Sequence, residues 1–144
     1  MAPIGGGPPV GSAGGAFTGA AQALDLYGDF AAAYAGRNPA TTDLTTRFEF
    51  TTGNYLFIGE LTCMGAVNLD SGDLASGYIT GWEVFFNGIA VAGSKVDSAQ
   101  EDQPNECTVP LIIPANTQVE IQNISNGADA DRKTSSMITG RIYR

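Results

Sequence analysis

Four glutamates, Glu49, Glu60, Glu83 and Glu120, lie in stretches that read as strands, and paired carboxylates are the acid–base apparatus a chain without histidine can still assemble. A glycosidase works with two such groups, one supplying a proton while the other attacks the sugar or activates water. Period-two alternation, however, places these glutamates on the solvent side of their strands, and 144 residues leave little chain for a sugar-binding cleft. The lack of histidine also removes Ser-His-Asp and Cys-His catalysis and the common histidine metal sites. No P-loop occurs, and the glycines near the N-terminus lack the preceding strand that a phosphate-cradling turn requires. The expectation is a non-enzymatic protein with no catalytic residues and no cofactor.

Two loops collect oxygen ligands. Residues 97–106 hold Asp97, Glu101, Asp102 and Glu106, and residues 68–77 hold Asp70 and Asp73. Ca²⁺ takes about six to eight oxygens, but neither loop has EF-hand spacing, so solvated acidic loops are expected rather than a metal site. Cys63 and Cys107 each sit in a strand-like run without metal or disulfide-framework spacing. Reduced core thiols are the expectation, with a single bridge as the alternative. Trp82, Tyr78 and Tyr55 could stack on a sugar, yet Trp82 shares a strand face with Val84 and Phe86, which favours the core.

The elements that carry these residues divide the chain in two. Residues 1–36 contain only two charged side chains, Asp25 and Asp29, and are rich in Gly, Ala and Pro. Residues 1–16 have no hydrophobic period, and Pro3, Pro8 and Pro9 bar regular hydrogen-bonded structure, so an extended segment is expected. From Phe17 onward, Phe17, Ala20, Leu24, Tyr27, Ala31 and Tyr34 recur at three- and four-residue spacings, which predicts a helix over 17–35 ended by Gly36. Gly28 weakens that helix by about 1 kcal/mol, so a packing surface must stabilise it. Its candidate contact residues are Phe17, Leu24, Tyr27, Phe30 and Tyr34, and residues 1–36 are expected to act as an assembly arm.

After Pro39 the period becomes two. Apolar alternation marks strands in residues 44–52, 55–66, 78–86, 89–91, 107–113, 118–124 and 136–143. Gly59 and Gly65 suit a bulge or bend in the second run. Asn87-Gly88 between alternating runs is a strong hairpin signal, because both central residues of a type I′ turn need positive φ. Pro114-Ala115-Asn116-Thr117 is a second connection with turn chemistry. Seven or eight short strands without intervening helices predict a single all-β sandwich of jelly-roll type over 40–144.

Composition narrows the partners. Charged residues make up 15% of the chain, well under the roughly one quarter of an ordinary soluble domain, so part of the surface is expected to be covered by other subunits. The net charge is -8, which repels a phosphate backbone, and nucleic acid is not expected as a partner. No segment has the roughly 18 to 20 apolar residues of a membrane span, and the start of the chain lacks the basic region of a secretory signal, so no membrane partner is expected.

The Gly/Pro-rich arm, the turn Phe86-Asn87-Gly88-Ile89, the segment Val109-Pro110-Leu111-Ile112-Ile113-Pro114-Ala115-Asn116-Thr117 and the closing Gly140-Arg141-Ile142-Tyr143-Arg144 together resemble small jelly-roll proteins of virus particles. The nearest group is the head decoration, cement and fibre-base proteins of tailed bacteriophages. The resemblance spans residues 44–144 as a pattern and rests on no single diagnostic motif. It implies a structural protein located in the virion, commonly a homotrimer, whose N-terminal arm anchors it to the major capsid protein or other virion subunits. A glycan- or receptor-binding β-sandwich module is the alternative.

Overall fold

The computed structural model describes residues 25–27, 29–67, 78–97 and 106–143. These form nine strands: β1 (Asp25–Tyr27), β2 (Phe30–Ala40), β3 (Thr45–Thr51), β4 (Leu56–Val67), β5 (Ile79–Phe86), β6 (Ile89–Asp97), β7 (Glu106–Ile113), β8 (Gln118–Ser125) and β9 (Asp129–Tyr143). They build a five-stranded sheet A in the order β1-β2-β9-β4-β7 and a four-stranded sheet B in the order β3-β8-β5-β6. Every pairing is antiparallel. Only β1–β2 and β5–β6 are sequential neighbours in one sheet; each other connection crosses from one sheet to the other. The all-β sandwich expected from the alternation is the fold observed.

The turn chemistry acts where expected. Phe86 pairs with Ile89, and Asn87 and Gly88 between them have φ of 50° and 79°. Both central residues are therefore left-handed, as a type I′ turn demands. Asn116 has φ of 56° in the connection that carries the chain from β7 in sheet A to β8 in sheet B. The register between β4 and β9 slips between Met64 and Val67, so the bulge spans Gly65 and Ala66. Gly59 has another role: it stands opposite Gly140, and a Cβ on either would fall 2.6 Å from the ring of Phe57. The two glycines vacate the space that one large aromatic fills.

The helix expected over 17–35 does not form in its described part. Residues 25–27 and 30–40 are strands, and the described residues contain no helix; residues 17–24 lie outside the described residues. Phe30 and Tyr34 are four apart and satisfy either a helical or a strand period, whereas buried Ala31, Ala33 and Ala35 fit only a strand. Tertiary pairing then decides. An isolated helix of that length is marginal in water, while β9 offers β2 ten register positions from Phe30↔Arg141 to Ala40↔Asp129. The sandwich thus begins at β1 rather than at residue 40, and part of the segment read as an arm lies within sheet A.

The core lies between the sheets. Sheet B contributes Phe48, Phe50, Trp82, Val84, Val119 and Ile121, while sheet A contributes Phe57, Leu61, Leu111, Ile113, Ile138 and Ile142 together with three alanines of β2. Trp82 is 3% exposed, the core position expected for it. At one end a polar network ties the sheets together. Arg47 in β3 donates from Nε to Asn123 Oδ1 at 2.6 Å, and Asn123 in β8 donates to Thr134 Oγ1 in β9 at 2.9 Å. Arg47 also donates to the Pro39 carbonyl of β2 at 3.2 Å. Burial pulls its guanidinium below the ordinary arginine value.

Candidate assembly surface

On the outer face of sheet A, β-register assembles apolar side chains from four strands into rows. One row runs Phe30, Arg141, Ile58, Ile112 across β2, β9, β4 and β7. A second begins Tyr34, Met137, Thr62, and Leu56 faces Tyr143 beyond the first. Phe30, Tyr34, Ile58, Ile112, Met137 and Tyr143 are all exposed, Ile112 at 65% and Phe30 at 51%. Six large apolar groups on one face exceed the scattered single hydrophobics of an ordinary surface.

Two charges at the edge of this surface, Arg141 and Asp29, engage each other and the Phe30 ring. The Arg141 guanidinium lies 4.7 Å from the Phe30 ring centroid, and its Nη1 is 3.5 Å from Asp29 Oδ2. The cation covers the aromatic face, and the carboxylate offsets the cation. Between the two rows stands Glu60, exposed and opposite Thr139 and Pro110, so the face is apolar along its rows and carries a carboxylate between them.

The outer face of sheet B is more polar, although Ile124 is exposed on it. Glu49 stands opposite Glu120, and Glu83 opposite Gln122. Thr46 Oγ1 and Gln122 Nε2 both donate to Glu120 Oε1, the latter at 2.7 Å, and Gln118 Nε2 donates to Glu49 Oε1 at 2.8 Å. The hydrogen bond from Thr46, followed by that from Gln122, holds the Glu120 carboxyl below the usual range. Beside them, Leu44, Gly81, Glu83, Gly93 and Ile124 border a shallow hollow of about 230 Å³. Burial of Trp82 removes it from any outward stacking platform, and Tyr55 and Tyr78 are half-buried.

Of the five contact residues expected from the sequence, Phe30 and Tyr34 lie on the outer face of sheet A, and Tyr27 stands in β1 opposite Phe30. Phe17 and Leu24 lie outside the described residues, as do residues 68–77 and 98–105, which hold most of the acidic loops. Ile58, Ile112, Met137 and Tyr143 were not singled out, although a signal existed. Leu56-Phe57-Ile58 and Leu111-Ile112-Ile113 are continuous apolar runs, and a strand apolar at both parities is one with both faces covered. No family model matches this chain, and neither the curated proteins nor the solved structures compared with it include a match.

Proposed function

We propose that this protein is a non-enzymatic structural subunit of a virus particle, a capsid decoration, cement or fibre-base component that oligomerises and is anchored through its N-terminal residues. The observation that carries the reading is the apolar outer face of sheet A, which resembles half of an interface rather than a solvated surface. In this reading the face is covered by neighbouring copies in a homotrimer, while residues 1–24 reach the capsid. Those residues carry no charged side chain and can span up to about 80 Å when extended, far beyond the domain that they precede.

The fold is read here as a jelly roll. The orders β2-β9-β4-β7 and β3-β8-β5-β6, with nearly every connection crossing between sheets, interleave two Greek keys, and β1 adds a fifth strand to one sheet. This architecture presents flat sheet faces to neighbours, which suits a shell component. Glu120 stays ionised through its two hydrogen bonds, which fits a hydrated surface better than a proton donor facing a substrate.

The mass of the full chain in solution tests this directly. Light scattering at micromolar concentration is expected to report a trimer, and a monomer under those conditions would overturn the assembly reading. Removing residues 1–24 while keeping β1 and β2 is expected to preserve the fold and the trimer but abolish cosedimentation with capsid shells.

A further inference from the structure

Outside that surface, Cys63 and Cys107 form a second constellation. They are directly opposed in register on the adjacent antiparallel strands β4 and β7. Opposed residues of such a pair have Cα atoms about 4.5 or 5.5 Å apart, depending on the hydrogen-bonding position. Both separations lie within the roughly 4.4 to 6.8 Å that a disulfide spans. Cys63 is fully buried in the core cluster, whereas Cys107 is half-buried on the terminal strand of sheet A. Across the mouth of the sandwich, Ser94 on the terminal strand of sheet B donates from Oγ to Cys107 Sγ at 3.0 Å. Cys107 is therefore the partly exposed member of the pair, and Cys63 is the buried one.

We propose that Cys107 and Cys63 constitute a thiol–disulfide exchange site, with Cys107 the attacking thiolate and Cys63 the resolving thiol, for low-molecular-weight disulfides such as oxidised glutathione. The hydrogen bond from the Cys63 thiol, supplemented by that from Ser94, lowers the Cys107 thiol to about 6, so its thiolate is the prevalent form at neutral pH. The Cys63 thiol is pushed up, first by its hydrogen bond to Cys107 and then by burial. In the first step the Cys107 thiolate attacks one sulfur of the disulfide. That S–S bond breaks, a mixed disulfide forms, and one glutathione leaves as thiolate. Capping Cys107 removes the charge that held the Cys63 proton, and this proton passes to the departing thiolate. Cys63 then attacks the Cys107 sulfur and releases the second glutathione, which takes a proton from water. Two protein thiols are oxidised to one disulfide, and one glutathione disulfide is reduced to two thiols. The product is a cross-strand staple between β7 and β4.

The test is incubation of the intact, reduced protein with oxidised glutathione at pH 7, followed by alkylation under denaturing conditions and mass spectrometry. The expected product is a monomeric chain short of two hydrogens with neither cysteine alkylated, and its melting temperature is expected to rise by about 5 °C or more. Cys63→Ser and Cys63→Ala are both expected to stop with one glutathione attached to Cys107, and Cys107→Ser to react at least ten-fold more slowly than the wild type. Recovery of both wild-type thiols unreacted, accumulation of the wild type as the mixed disulfide, or undiminished reaction of Cys107→Ser would each overturn the proposal. The wild-type outcome decides it even where a variant fails to fold.

Discussion

The outer faces of the two sheets are made from strands with the same alternation, yet they differ in apolar content. Sheet A displays Phe30, Ile58, Ile112, Met137 and Tyr143 around Glu60, whereas sheet B displays Glu49, Glu83 and Glu120 among amide and hydroxyl groups with Ile124 beside them. Their inner faces are alike in being apolar, with Phe57, Leu61, Ile113 and Ile138 of sheet A meeting Phe48, Trp82, Val84 and Ile121 of sheet B. Sheet B therefore resembles the solvated half of a sandwich, apolar inside and mostly polar outside, while sheet A is apolar inside and largely apolar outside. A sheet of the second kind ordinarily occurs where both faces are covered. The contrast teaches that an apolar outer face does not require a special motif: it follows from which strands are apolar at both parities.

The sharpest way to break that contrast is to disturb the inside of sheet A. Gly140→Val puts side-chain atoms where the Phe57 ring and the Gly59 backbone already lie, with contacts at 2.6 Å, and β-branching leaves few rotamers for escape. Denaturant unfolding is expected to show a loss of about 3 kcal/mol, together with a weaker oligomer as the outer rows lose their alignment. Unchanged stability would mean that the glycine pair does not shape sheet A.

Charging the two outer faces separately comes next. Ile58→Lys combined with Ile112→Lys places two cations in the apolar row and is expected to weaken self-association at least 100-fold, about 2.7 kcal/mol, as measured by sedimentation. The matched change Glu49→Lys with Glu83→Lys on sheet B is expected to leave the mass unaltered. Equal effects from both pairs would erase the functional distinction between the faces.

The link between the sheets gives a smaller effect. Asn123→Ala removes the acceptor of Arg47 Nε and a donor to Thr134 Oγ1, and it leaves a buried guanidinium with a lost partner. A loss of about 2 kcal/mol is expected on unfolding, without a change in oligomeric state. Arg47→Met tests the same network from its charged end and is expected to be less harmful, because no buried charge is left behind.

The smallest effect probes the polar character of sheet B. The Glu120 carboxyl is lowered in the folded protein, so its contribution to stability is present above the ordinary glutamate value and is lost as the pH falls through the folded value. Thr46→Val removes the leading cause. NMR titration is expected to show the Glu120 carboxyl moving back up toward the ordinary range, and the acid side of the stability profile to become shallower. An unmoved Glu120 would show that Gln122 alone sets its ionisation.

The sequence was legible where local chemistry and burial agree. Asn87-Gly88 reports its turn because a residue pair tolerant of positive φ stands between two alternating runs. Met137, Thr139, Arg141 and Tyr143 separate from Ile138, Gly140 and Ile142 because strand parity sends alternate side chains to opposite faces. Residues 25–35 misled for a physical reason: Tyr27, Ala31 and Tyr34 satisfy a helical spacing, and alanine favours helices, but propensity is worth only tenths of a kcal/mol per residue. Pairing with β9 supplies a whole ladder of hydrogen bonds and buries Ala31, Ala33 and Ala35. The longer reach of β6 and β9 was hidden similarly, since Ser94-Lys95 and Lys133-Thr134 look like loop chemistry until a neighbouring strand pairs with them.

The amino-acid sequence by itself determined the all-β class, the type I′ hairpin, the core placement of Trp82 and the absence of histidine chemistry, because each depends on parity, turn dihedrals or residue type alone. Only the tertiary structure decided which strands became neighbours. That choice brought Phe30, Ile58 and Ile112 into one row and set Cys63 opposite Cys107 across 43 intervening residues of chain. The physical reason is that sheet pairing is non-local: backbone hydrogen bonds are the same for any sequence, and register is chosen by burying the whole core at once.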